Sequence, residues 1–285
     1  MSLLKAKAMA KINLTLDVTG RRDDGYHDIE SVMQSVTLGD IVSLSAFDGG
    51  SDITVSCFGR SCGEENTAYM AAREFMRISG KKLSVRIEIE KQIPQAAGLG
   101  GGSADAAAVL VMLDEVYGPV DRGELYRAAL NVGADVPFCI SGGTALVKGI
   151  GGSVTQLEPA GEHHVVIVKS GEKHSTGRMY SMIDNMEDSS TCFTRNFIRE
   201  YGSVGFLSAA KYSGNIFSRL YAGYESSTEK MHSFSPVMVS LSGAGPCIYG
   251  IFDSERAARA CFEYYKFRDE EAYICKTCPH GVVLL

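Results

Sequence analysis

Three features of this sequence have the residue types to do chemistry: a glycine-rich stretch, an aspartate among apolar residues, and a lysine on an alternating segment. The stretch is PQAAGLGGGSADAAAVL (94–110), in which Gly98, Gly100, Gly101 and Gly102 precede a run of alanine and valine. Glycines tolerate positive φ and let the backbone approach a ligand closely. Successive N–H groups can then converge into an anion nest, and the N-terminus of a following helix adds unpaired N–H groups and a partial positive charge. Such a loop suits a polyphosphate, with a metal ion sharing the charge. The plainer alternative is a helix–strand packing turn that needs small residues. Known patterns do not fit: a Walker A loop needs lysine after the last glycine, a dinucleotide fingerprint needs glycine where Ser103 stands, and a protein-kinase loop lies in a hairpin rather than before a helix.

The aspartate is Asp135, in GADVPF. Pro137 pushes Val136 toward extended geometry, so the segment reads as a tight loop. The aspartate then either closes an Asx-turn or cap, or presents a carboxylate to a substrate hydroxyl. In the second case Lys11 is the ammonium best placed to stabilise a developing alkoxide. A third segment, GRRDDGYH (20–27), is either a solvated hairpin tip or a ligand edge where Tyr26 stacks on a planar base and His27 hydrogen-bonds it.

The elements that must position these groups follow from periodicity. Residues 3–18 alternate as a strand, and SVMQSVTL, IVSLSA and DITVSC read as further strands of a largely antiparallel sheet. Asn66 caps a helix with an apolar stripe ending at Gly80. LSVRIEIEK alternates again, and helices are predicted from about 103 to 117 and over 122–130. GGTALVKG is a strand, the pattern lapses over 153–161, and HVVIVKS (164–170) opens a second half. Short helices follow between 175 and 232, then strands PVMVSLSG and PCIYGIF, the amphipathic helix SERAARACFEYYKF, and two short terminal strands. This order predicts an α+β fold in two domains, 1–155 and 156–285, the second a ferredoxin-like sandwich.

Composition narrows the class. The chain has 285 residues, 45% of them hydrophobic, and a net charge of −6. No basic majority supports nucleic-acid binding, no apolar run reaches the ~20 residues of a membrane span, and the N-terminal segment lacks a signal-peptide core. The expectation is a cytoplasmic protein without nucleic-acid or membrane partners, its eight cysteines reduced. The spacing of Cys275 and Cys278 lacks the second nearby pair that a structural zinc site needs.

Taken in order, AKINLTLDVTGRRDDGYHDIES, KQIPQAAGLGGGSADAAAVL, GADVPFCISGGTALVKGIG and SLSGAGPCIYGIF resemble the motifs of the GHMP small-molecule kinases. The nearest resemblance is to the branch that phosphorylates the 2-hydroxyl of 4-diphosphocytidyl-2-C-methyl-D-erythritol, in the non-mevalonate isoprenoid pathway. The resemblance implies an N-terminal domain like ribosomal protein S5 domain 2, a ferredoxin-like second domain and a cleft between them. It implies ATP and Mg²⁺, with no side chain assigned to the metal. By position, Asp135 matches the general base and Lys11 its cationic partner. Asn13, Tyr26, His27 and Tyr180 match substrate-binding positions. Pro94, Gln95, Ala96, Ala97, Gly98, Leu99, Gly100, Gly101, Gly102, Ser103 and Ala104 match the ATP stretch, with Lys91 and Asn66 beside it. The departures are Ala104 and Ala244, which stand where the family often has serine; Ser103 or Asp105 can compensate for the first. Rival readings are a homoserine- or mevalonate-type kinase, whose substrates lack the base that GYH suits, and a non-catalytic nucleotide sensor.

Overall fold

The structure, a computed structural model, describes residues 2–169, 171, 175–221 and 223–285. The first sheet is built around β1 (Ser2–Asn13), β2 (Thr15–Arg21) and β3 (His27–Asp48). The alternating segment is therefore two strands, broken at Leu14. The two strands expected after the GYH loop are instead one of 22 residues. A bulge absorbs the irregularity: Met9 pairs with Gly39 and Ala10 with Val36. Gly39 is required there, because a Cβ would lie 2.6 Å from the Ala8 carbonyl oxygen.

β4 (Ile53–Cys57) and β5 (Arg60–Ser61) form a hairpin, and α1 (Thr67–Ser79) follows. Asn66 caps α1 by accepting from the Ala68 amide at 2.9 Å, and Gly80 closes it in the left-handed region, as the sequence predicts. β6 (Leu83–Glu90) buries Leu83, Val85, Ile87 and Ile89 on one face. It pairs antiparallel with β3 but parallel with β4, so α1 is a crossover that the sequence reading did not foresee. α2 (Gly101–Tyr117) starts two residues earlier than expected and is apolar nearly all round, with Ala104, Ala106, Ala107 and Ala108 wholly buried. It is the central helix, and its small side chains let it sit close to the sheet. α3 (Arg122–Val132), α4 (Val136–Ser141), β7 (Thr144–Gly149) and β8 (Ser153–Gln156) complete this half. The lapse over 153–161 thus holds a short strand, paired with β7.

The second sheet has β9 (His164–Lys169) at its centre; Ser170, expected to end that strand, lies outside the described residues. After β9 come α5 (Thr176–Asp184), α6 (Phe193–Ser203), α7 (Phe206–Ala209), the two-residue β10 (Gly214–Asn215) and α8 (Tyr224–His232). β11 (Met238–Leu241), β12 (Cys247–Phe252), α9 (Glu255–Phe267) and β13 (Glu271–Lys276) follow. The antiparallel order β11-β12-β9-β13 is the ferredoxin-like arrangement. The last strand, β14 (Val282–Leu284), returns to the first sheet and pairs with β1, and β10 pairs with β2. No helix among the described residues is long and apolar enough to cross a membrane.

Candidate active site

Strand alternation puts Lys11 and Asn13 on the same face of β1, opposite the buried Ala10 and Ile12. The Lys11 ammonium donates to Asn13 Oδ1 at 2.9 Å and lies 3.3 Å from Asp135 Oδ2. Asn13 is wholly buried: its Oδ1 also accepts from the Gly243 amide, and its Nδ2 donates to Ser31 Oγ. It therefore visibly orients Lys11.

Asp135 ends a tight turn (133–135) between α3 and α4, as expected, but the rest of the GADVPF segment is helix rather than loop. Val136 opens α4 and Pro137 occupies its first turn, where a missing N–H costs nothing; this corrects the extended geometry expected of Val136. Asp135 is the N-cap by position, with φ −87° and ψ −11°, but its side chain makes no cap hydrogen bond. The carboxylate is thus left facing Lys11, which removes the Asx-turn and cap alternatives.

The glycine loop is docked on both halves of the fold. The Lys11 amide donates to the Leu99 carbonyl and Ser242 Oγ to the Gly98 carbonyl. Gly98 and Gly100 have φ of +78° and +71°, and a Cβ on Gly98 would meet the Ser242 carbonyl oxygen at 2.1 Å. The loop runs directly into α2, so its free amides and the first turn of that helix face one cleft of about 960 Å³.

The walls of that cleft include Lys11, Asn13, Tyr26, His27, Asn66, Lys91, residues 94–103, Asp135 and Tyr180. Ala104 is the exception. Its methyl is wholly buried in the core and its amide already donates to the Gly100 carbonyl, so the stretch that faces the cleft ends at Ser103. Ala244 lies on the wall. Lys91 is not a free cation: it donates to Asp105 Oδ2 at 2.7 Å and to Asp40, bracing the end of β6 against α2. Tyr26 is 65% exposed at the rim. His27 stacks on Tyr180 with ring centroids 4.7 Å apart, and Tyr180 meets Phe217 edge-on. Burial pushes the Tyr180 hydroxyl up to about 12, which keeps it a donor.

Sequence reasoning missed Asp40 and Asp184. Nothing local marks Asp40, whose carboxylate also accepts from the Gln92 and Ile93 amides half a domain away in sequence. Asp105 was named only as a carboxylate able to stand in for the serine absent at Ala104; its pairing with Lys91 was not foreseen. One of its oxygens is buried without a partner, and burial pushes its carboxyl up to about 7, with Lys91 opposing and Asp40 reinforcing the shift. An acid whose folded pKa is raised stabilises the fold most below its unfolded value of 3.8 and loses that contribution as pH rises through about 7. Accordingly, the Tm of the ligand-free wild type relative to Asp105→Asn should fall as pH rises from 4 to 7.5. A difference that is flat or rises over that range would refute the assignment.

The eight cysteines are all free thiols, four of them buried. Among the described residues no group of three or more His, Cys, Asp or Glu side chains could hold a metal.

Comparison with known proteins agrees with this architecture. Residues 66–143 match the family described as GHMP kinases N terminal domain. A protein of Clostridium tetani named 4-diphosphocytidyl-2-C-methyl-D-erythritol kinase is 37% identical over 96% of this chain and 100% of its own. A crystal structure of a 4-(cytidine 5'-diphospho)-2C-methyl-D-erythritol kinase superposes with a TM-score of 0.75 at 27% identity, covering 96% of this chain and 98% of that one. A homoserine kinase from Cytophaga hutchinsonii, at 20% identity and a TM-score of 0.73, shares the fold over 100% of this chain and 98% of its own.

Proposed function

Because the chain belongs to the 4-diphosphocytidyl-2-C-methyl-D-erythritol kinase family of GHMP kinases, we propose that it transfers the γ-phosphate of ATP to the 2-hydroxyl of 4-diphosphocytidyl-2-C-methyl-D-erythritol. The observation that carries this reading is the 3.3 Å pairing of Lys11 with Asp135 in the same cleft as the glycine loop.

Phosphoryl transfer asks mainly for positioning and charge neutralisation. The amides of the loop and the first turn of α2 hold the β,γ-phosphates. Asp135 receives the proton of the attacking hydroxyl, and Lys11, fixed by Asn13, stands beside the alkoxide as it forms. At the other end, Tyr26, His27 and Tyr180 hold the cytosine. Lys91 supports the loop from beneath: a Cβ on Gly101 would lie 3.4 Å from its ammonium.

The cleft also suits Mg²⁺, which keeps much of its water and takes one or two protein oxygens plus phosphate. The Ser103 hydroxyl and the Asp135 carboxylate are the oxygens available for it. They lie on adjoining segments, since a Cβ on Gly133 would be 3.8 Å from Ser103 Oγ. When bound, the ion neutralises charge on the transferring phosphates.

The reading implies a cytoplasmic enzyme with small-molecule partners, and a net charge of −6 offers no support for nucleic-acid binding. An ADP-release assay should show turnover with ATP and 4-diphosphocytidyl-2-C-methyl-D-erythritol, inhibited by CDP, and at least about 10³-fold lower kcat/KM with homoserine or mevalonate. Equal or better turnover of either alternative would overturn the substrate assignment. No phosphorylated product from any of these alcohols would favour the nucleotide sensor.

A further inference from the structure

Two charged groups on the cleft wall have no part in the transfer, Arg21 on β2 and Asp184 at the end of α5. Asp184 Oδ1 lies 2.7 Å from His27 Nε2, and its other oxygen lies 3.3 Å from Arg21 Nη1. His27 is the first residue of β3, its side chain is 8% exposed, and Tyr180 covers one ring face. The backbone, the stacked tyrosine and the carboxylate together fix the plane and rotation of the imidazole. Nδ1, at the opposite edge of the ring from Asp184, has no partner among the described residues.

We propose that Asp184 makes this protein select cytosine over uracil, by holding His27 as the Nε2–H tautomer with a bare Nδ1 lone pair presented to the base. The inference rests on the reading that the cleft receives a cytidine diphosphate compound. An ionised carboxylate can only accept a hydrogen bond. The hydrogen bond from His27, with the charge of Arg21 behind it, holds the Asp184 carboxyl below its ordinary value, so it is ionised near neutral pH. Its partner nitrogen must therefore carry the proton. A neutral imidazole has one N–H, which leaves Nδ1 an acceptor. Cytosine offers an exocyclic 4-amino group that donates to such an acceptor. Uracil offers a carbonyl oxygen at the same place, so two lone pairs would face each other with the polar atoms left unpaired. Asp184 thus acts through His27, as a positioning residue supplied by the second half of the chain to a base edge supplied by the first.

Asp184→Asn tests this with little change of shape. The amide can turn either its carbonyl or its NH₂ toward Nε2, so the tautomer is released. With the ATP site saturated by a non-hydrolysable analogue at pH 8, calorimetric titration with CDP and UDP reads the preference without turnover. The wild type should favour CDP by about 10²-fold, and the variant should lose at least about 10-fold of that ratio. ¹⁵N spectra of histidine-labelled protein, assigned by the peak missing in His27→Gln, should show the Nε2–H form in the wild type and a mixture in Asp184→Asn. A merely structural role would leave that tautomer unmoved. A folded Asp184→Asn protein with an unchanged CDP:UDP ratio, or a wild type without preference, overturns the inference. Failure of the wild type to phosphorylate the cytidine alcohol in the ADP assay instead overturns the functional reading, and the two results are independent.

Discussion

Asp135→Asn should fold like the wild type and turn over about 10³-fold more slowly. Removing a general base typically costs about 10²–10⁴-fold, and an amide of the same shape keeps a hydrogen bond to the substrate hydroxyl but cannot take its proton. The fold has little reason to suffer. The Asp135 side chain caps nothing on α4 and is 29% exposed. Lys11 keeps its hydrogen bond to Asn13 when the carboxylate is gone. Single-turnover rates, with Tm as the folding check, decide the matter. A kcat within threefold of wild type would leave Asp135 no place in the chemistry, and a collapse of Tm would show its role to be structural.

Gly98→Ala should damage both nucleotide binding and stability. At φ +78° an L-residue is strained by about 1–2 kcal/mol. The new Cβ would also be 2.1 Å from the Ser242 carbonyl oxygen and 3.1 Å from that of Gly245. These obstacles are backbone, so no side chain can swing aside. The glycine loop and the turn between β11 and β12 must separate, breaking the Ser242 Oγ contact to the Gly98 carbonyl. We expect a loss of roughly 3 kcal/mol or more, a Tm lower by about 5–10 °C, and an ATP KM raised at least about 10-fold. Gly102→Ala is the comparison. There the nearest obstacle is the Thr67 hydroxyl at 3.1 Å, a group that can move, and φ is not positive. Its stability should stay close to wild type. Equal behaviour of the two variants would mean that glycine in the loop serves local flexibility and not the docking of one half on the other.

These substitutions separate what a sequence displays from what it conceals. α1 was legible to its last residue, because its cap, its apolar stripe and its terminal glycine are all local signals. β6 was legible because its burial alternates without exception. The break at Leu14, the fusion of two segments into β3 and the parallel pairing of β4 with β6 were not. Each depends on which strand lies alongside, and no window of a dozen residues contains that partner. Val136 shows the limit of a local rule. Proline disfavours a helical residue before it, yet the first turn of a helix has no hydrogen bond for proline to break, and the packing of α4 against α2 decides the outcome.

The candidate site divides in the same way. Residue type and order in the chain were enough to single out Lys11, Asp135, Tyr26, His27 and the glycine loop as candidates, because the proposed chemistry needs groups of those kinds. Only tertiary structure sets Lys11 between Asn13 and Asp135, turns Lys91 from a free cation into a brace for Asp40 and Asp105, withdraws Ala104 into the core, and brings Asp184 to His27 from 157 residues away. The physical reason is one of range. Backbone preference and side-chain chemistry act within a turn or a strand and so are written locally. Ion pairing, burial and tautomer choice depend on whatever the folded chain places within about 3–4 Å.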